Sequence, residues 1–203
     1  MSSKKAAKKS KKKKGQGDEH SAASAKRAAR LCDAAGAGDC GAMERLIDGG
    51  VDVNAMTDAK QSDVKNLVEV MSLGGEKMRT TALLSAVAHR QEPAVRLLLD
   101  RGANPNLANS LGVSPLMNAA GEGSLPLLKL LLKAQAEVNA IDINGFTAFH
   151  ITCFYNHRDC AEALVRAGCN TSKLDGDGKT GRDLAEEQGH TAVLERLRSL
   201  EPI

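Results

Sequence analysis

The stretch HITCFYNHRDC, residues 150–160, places His150, Cys153, His157 and Cys160 within eleven residues. Spaced H-x2-C-x3-H-x2-C, two imidazoles and two thiols are the donor set of a tetrahedral zinc site. A second stretch, GDGKTG at 176–181, joins glycines to a lysine and a threonine as phosphate loops do. It lacks the GxxxxGK[ST] spacing and the preceding strand that would aim backbone amides at a phosphate. No GxSxG and no CxxC occurs, which leaves catalysis little support. Whether the His/Cys cluster does chemistry depends on the elements that hold it.

Those elements must be built without aromatic residues, which make up 2% of the 203 residues, with no Trp. A core of Leu, Val, Ala and Met suits helix-on-helix packing better than a strand sandwich. The start, MSSKKAAKK, lacks the apolar stretch of a secretory signal. No run approaches the eighteen or so apolar residues of a membrane span. Five Cys without even spacing fit reduced thiols inside the cell, so the expected location is cytoplasm, nucleus or both. Charge is divided unevenly. Lys4, Lys5, Lys8, Lys9, Lys11, Lys12, Lys13 and Lys14 crowd one end; removing those eight leaves 20 Lys and Arg against 25 Asp and Glu, a body at −5.

The chain repeats itself. TALLSAVAH from Thr81, SPLMNAAGE from Ser114, TAFHITCFY from Thr147 and TGRDLAEEQ from Thr180 follow one another at steps of 33. LLLDRGANPN, LLLKAQAEVN and ALVRAGCNTS keep the same step downstream. An earlier copy, RLCDAAGAG with RLIDGGVDVN, is separated from the next by one period plus nineteen residues, with Ala29 where a capping Thr would stand. Each copy predicts a short helix capped by a hydroxyl, a Gly-bearing turn, a Leu-striped second helix and a Gly/Asn/Asp hairpin. Gly50, Gly102 and Gly168 suit a left-handed helix end; Gln135 replaces that glycine in the third copy and is expected either to cost about 1 kcal/mol or to end its helix differently.

The pattern resembles the ankyrin repeat. ANPNLANSLGVSPLMNAA and VNAIDINGFTAFHITC look like that family's hairpin followed by its T-P-L-H-x-A-A helix, and GHTAVLERLRSL looks like its Gly-His turn and second helix. The resemblance covers roughly 25–200 at the family's period. It implies an all-α repeat solenoid: a tail at 1–24, repeats at 25–57, 77–108, 109–141 and 142–174, and a capping repeat at 175–203. The segment 58–76 is an insertion, in which Val64, Leu67, Val68 and Met71 mark one helical face. Only Ser114-Pro115-Leu116 keeps the family's Pro and only His150 its His; EKMRTT lacks the hairpin Gly.

In this register each metal-ligand candidate has another duty. His150 takes the place of the family's structural histidine, which hydrogen-bonds between repeats. Cys153 takes a small packing position, His157 the turn-His position and Cys160 the start of the second-helix stripe. GDGKTG becomes the last hairpin. No catalytic, cofactor-binding or metal residue is expected.

What the family implies instead is a concave surface of hairpin tips and first helices that binds a protein partner. The matching positions are Lys77, Met78, Thr80 and His89; Ser110, Leu111, Val113 and Glu122; Ile143, Asn144, Phe146, Phe154 and Tyr155; and Gly176, Asp177 and Gln188. Tyr155 is the only Tyr, and Phe146 and Phe154 are two of three Phe, so the scarce aromatics fall on this surface. Expected is a non-catalytic interaction scaffold or adaptor, monomeric because a capped solenoid has no need to oligomerise. Two alternatives stay open. The Lys tail could recruit RNA or chromatin through salt-sensitive, non-specific contacts, or the chain could be the regulatory subunit of an enzyme.

Overall fold

The computed structural model describes residues 22–59 and 78–200. They form five stacked helix pairs: α1 (22–37) with α2 (Cys40–Asp48), α3 (Ala82–Ala88) with α4 (Glu92–Asp100), α5 (Pro115–Gly121) with α6 (Leu125–Lys133), α7 (Ala148–Phe154) with α8 (Arg158–Arg166), and α9 (Gly181–Glu187) with α10 (Thr191–Arg198). A short antiparallel ribbon pairs β1 (Thr57–Asp58) with β2 (Arg79–Thr80), in the register Thr57 with Thr80 and Asp58 with Arg79. Helical structure dominates the described residues, as the repeat pattern predicts.

Local chemistry starts each first helix. Thr81, Ser114, Thr147 and Thr180 are extended N-caps whose hydroxyls accept the amides of Leu84, Met117, His150 and Asp183. Each satisfies one of the orphan donors that a helix leaves at its start. Left-handed backbone ends the second helices at Gly50, Gly102, Gln135 and Gly168, with φ of 83°, 84°, 63° and 81°. Gln135 thus keeps the glycine conformation without being glycine. The turn inside each pair is left-handed, at Gly38, Arg90, Gly123, Asn156 and Gly189. Two of these five, Arg90 and Asn156, are non-glycine residues that no sequence signal had marked.

The core is a ladder. Leu98, Leu131, Leu164 and Leu197 recur at the repeat step on the second helices and are buried. Ala86, Ala119, Ala120, Cys153 and Ala185, on the first helices, are completely buried. Because these side chains are small, successive first helices pack closely on one another from α3 to α9.

Three sets of polar bonds tie repeat to repeat. In the outer loops Asn54, Asn106 and Asn139 accept the amides of Asn104, Glu137 and Asn170 at 2.7–2.8 Å. At the hairpins Ile143 N donates to Leu111 O (3.1 Å) and Gly176 N to Asn144 O (2.8 Å). On the second helices of the last two pairs, Arg196 meets Asp159 at 3.5 Å and Glu162 at 3.2 Å.

The first pair departs from expectation. Helix α1 already spans residue 22, so it runs two turns ahead of Ala29 and takes in residues 22–24, which the sequence placed in the tail. The lysines at 4–14 and the Val64–Met71 face lie outside the described residues.

Candidate partner-binding face

His150 is fully buried between the fourth repeat and the cap. Its Nδ1 accepts the Thr147 amide (3.2 Å) and lies 2.8 Å from Thr147 Oγ1, so Nε2 carries the proton and donates to Lys179 O at 3.2 Å. Burial pushes its pKa down; the Lys179 carbonyl and the Asp175 carboxylate oppose that shift. His157 Nε2 lies 3.0 Å from Gly121 O, a bond back to the preceding repeat. Burial pushes the Cys153 thiol up to about 12 and the Cys160 thiol up to about 11. Metal ligation and nucleophilic attack need the thiolate, which these surroundings disfavour. Cys160 shares the buried stripe of Ala94, Leu127 and Val193. The four side chains serve the stacking of repeats.

GDGKTG is a hairpin. The Asp175 carboxylate accepts the amides of Asp177 and Lys179, both at 2.9 Å, Lys179 Nζ bonds Glu187 at 2.7 Å, and Thr180 caps α9. The same turn recurs with Asn109 accepting Leu111 N and Val113 N, and with Asp142 accepting Asn144 N and Phe146 N. Desolvation raises the pKa of Asp142 although these amides lower it.

The hairpins and inner turns set the contact positions. Ser110, Asp177 and Gln188 are exposed; His89, Glu122, Asn144, Phe146 and Phe154 are half-buried. Lys77 lies outside the described residues. Met78 and Leu111 do not present their side chains: they are buried in the core, as are Thr80 and Val113. Stacking explains this, since the Asn109 side chain reaches Met78 Sδ and the next hairpin bonds Leu111 O. Two exposed apolar residues escaped the sequence reading, Ile141 and Leu174, each one position before a hairpin aspartate. Their signal was an apolar residue in a loop at the repeat step.

Large apolar exposure gathers at the fourth repeat. Ile143 is 58% exposed, Ile141 49% and Tyr155 38%. Phe154 meets Tyr155 edge to face at 5.1 Å, Tyr155 stacks on His157 at 6.2 Å, and Phe146 meets His150 edge to face at 5.8 Å. The Tyr155 ring is thereby held in place. At the other end of this face, Arg90 donates to Glu122 Oε2 (2.8 Å) and Glu122 O (2.6 Å).

A family model of ankyrin repeats, in three copies, matches residues 31–142 and 116–201. Similar proteins include the chicken (Gallus gallus) nuclear factor NF-kappa-B p105 subunit, 36% identical over 137 residues, which is 62% of this chain and 14% of that protein. The human SH3 and multiple ankyrin repeat domains protein 2 is 31% identical over 155 residues, 68% of this chain and 8% of that protein. Mouse cyclin-dependent kinase 4 inhibitor B is 35% identical over 128 residues, 63% of this chain and 96% of that protein. The chain thus spans a small part of the first two and nearly all of the third. With the capped helix pairs, the stacked hairpins and these matches in one register, the chain belongs to the ankyrin-repeat family.

Proposed function

We propose that the chain is a non-catalytic interaction scaffold that binds a protein partner through its hairpin tips and the concave face of its first helices, acting as a monomer. The observation that carries this reading is the exposure of Ile143 and Tyr155 on the fourth repeat, with exposed Ile141 at the end of the third directly before it. Exposed aliphatic hairpin residues and a held aromatic are the kinds of side chain that anchor binding hot spots. The contact set is Ile143, Asn144, Phe146, Phe154 and Tyr155, flanked by His89, Ser110, Glu122, Asp177 and Gln188.

A second reading keeps the surface and makes the partner an enzyme, with the chain as its regulatory subunit. It is favoured by the match to nearly the whole length of a kinase inhibitor. The Lys tail supplies the competing nucleic-acid reading.

The test is affinity capture after nuclease treatment with three baits: the full chain, the chain lacking residues 1–20, and the full chain carrying Ile143→Asp and Tyr155→Ala. The expected partner stays with the tail deletion and is lost with the double substitution. An identified enzyme whose rate changes on binding would select the regulatory reading. Loss of all partners with the tail or with nuclease would overturn the scaffold.

A further inference from the structure

The second helices form one side of the stack, and α6 departs from its neighbours there. Helix α4 pairs Glu92 with Arg96 and α8 pairs Glu162 with Arg166, both at 2.6 Å and both one turn apart. At the matching positions α6 carries Leu125 for Glu92 and Lys129 for Glu162. So Lys129 lacks the acid that holds Arg96, and Lys133 lacks the acid that holds Arg166. Both lysines are exposed, and among the described residues no carboxylate lies within ion-pair distance of either. The same helix has more leucine than its core uses. Leu127, Leu128 and Leu131 are buried, whereas Leu125, Leu130 and Leu132 are only partly covered. Two grooves open over them. One, of about 290 Å³, runs between α4 and α6 over Leu99 and Leu130. The other, of about 320 Å³, runs between α6 and α8 over Leu125, Leu132 and Ala163. They are one feature repeated, since Leu99 and Leu130 stand 33 residues before Leu132 and Ala163. Lys133 lines the first groove and Lys129 the second. Of the acids there, Asp159 and Glu162 are held by Arg196, and Glu162 by Arg166 as well. Asp100 stands on the far wall of the first groove, on α4. The uncompensated charge on α6 itself is positive.

We propose that this side is a second docking surface, separate from the hairpins and first helices, and that it takes an amphipathic helix with an acidic centre. Packed helices stand about 8–10 Å apart, so the two grooves are separated by about that distance. Residues i and i+7 of a helix lie about 10.5 Å apart on one face. A helix laid across α6 therefore seats one apolar side chain in each groove. Its i+3 and i+4 residues fall between the two, over α6, where Lys129 and Lys133 are about 6 Å apart along the axis. Glu or Asp at those two positions supplies the partners that the lysines lack. A basic helix meets two unpaired ammonium groups instead. The chain's own lysines at 4–14 have the wrong sign for this face. Its insertion has Val64 and Met71 at the right spacing, but Leu67 and Val68 stand where the acids belong.

The test selects a displayed library of Ala-rich helical peptides, randomised along one face, on the immobilised full chain. Enriched peptides are made synthetically and titrated against wild type, against Lys129→Glu with Lys133→Glu, against Leu125→Glu, and against Ile143→Asp with Tyr155→Ala; thermal melts check that each variant folds. Expected peptides carry two apolar residues seven apart with Glu or Asp between them. They lose at least ~tenfold in affinity to the lysine reversal and to Leu125→Glu, keep it with Ile143→Asp and Tyr155→Ala, and bind more weakly as salt rises. Exchanging the peptide's acids for Lys abolishes binding to wild type and restores it to the Lys129→Glu, Lys133→Glu chain. Peptides that depend on Ile143 and Tyr155 and ignore the α6 variants leave the scaffold reading standing and sink the second surface. A selection that enriches no peptide sensitive to the α6 variants sinks it too, and lysine-dependent binding to phosphatidylserine vesicles in that case would make the face a lipid contact. A roughly tenfold gain in affinity on deleting residues 60–77 would make the insertion the occupant and overturn a separate partner.

Discussion

At the scale of single residues, each step between repeats is a fit between a side chain and the next repeat's backbone. Phe149 is the largest fully buried side chain, and it faces Gly181 at the first position of α9. A Cβ on Gly181 would stand 2.8 Å from two atoms of the Phe149 ring and 3.2 Å from Cys153 Sγ. The ring is enclosed and cannot swing away. Gly181→Ala should therefore destabilise by about 1–2 kcal/mol, although alanine is the better helix former. In the Gly181→Ala, Phe149→Leu double variant part of that loss should return; additive losses in urea unfolding would show that the two do not meet. His150 makes a second residue-scale prediction. Its folded pKa lies below 6.5, so the unfolded chain binds the proton more readily. Its contribution to stability is full above pH about 6.5 and is lost as pH falls through its folded value. Protonation at Nδ1 would also oppose the Thr147 amide that the ring now accepts. The facing carboxylates, Asp142 and Asp175, soften the loss without reversing it. Asp142, with its raised pKa, acts in the opposite sense as pH rises through its own folded value. Urea midpoints at about pH 7.5 and about pH 5.5 should fall further for wild type than for His150→Gln. Equal falls would remove His150 from the acid response.

At the scale of elements, the backbone carries a conformational cost at Gln135 that the other second-helix ends avoid. Gln135 sits at φ 63°, where the other copies place glycine. Its backbone carbonyl accepts Asn106 Nδ2, a bond that glycine would keep. Gln135→Gly should therefore stabilise by about 1 kcal/mol, read as a higher denaturation midpoint with an unchanged slope. Arg90 and Asn156 share the left-handed region, but Arg90 holds Glu122 and Asn156 Oδ1 accepts Val193 N, so glycine there would forfeit a bond. These elements differ in how plainly the sequence announces them. Thr81, Ser114, Thr147 and Thr180 were legible because a cap is settled within four residues. The left-handed glycines were legible for the same reason. Arg90 and Asn156 were not, since their conformation is imposed by the packing of two helices and leaves no local mark. Met78 and Leu111 were misread as open contacts because the next hairpin in the stack covers them. The start of α1 was hidden by polar composition: residues 22–27 are exposed, so the helix shows no apolar stripe there.

At the scale of the whole molecule, stability and the candidate site meet at the C-terminal end of the stack. Each internal repeat is covered on two sides, and a terminal one on one, so stability is close to a sum of repeat and neighbour terms. The cap covers Phe149 and Cys153, accepts the His150 Nε2 proton at Lys179 O, and reaches back to the fourth repeat from His190 Nδ1 to Cys153 O and from Arg196 to Asp159 and Glu162. The centre of the proposed site lies on the repeat that the cap holds, and the cap itself adds only Asp177 and Gln188 at its edge. Removing residues 175–203 should therefore do more than shorten the chain. The fourth repeat would expose a Phe and a row of small apolar residues to water, and the Tyr155–His157 stack would lose the packed turn beneath it. Hydrogen exchange should show α7 and α8 in the truncated chain opening far faster than α3 to α6. The same amides in the full chain should exchange at rates near those of α5 and α6. Partner capture should fail with the truncated chain even though Ile143, Phe146, Phe154 and Tyr155 are all present. Unchanged protection of α7 together with lost capture would place the essential contacts on the cap, in Asp177 and Gln188. Unchanged capture would free the site from its cap altogether and would contradict the coupling of packing to function drawn from His150 and Gly181.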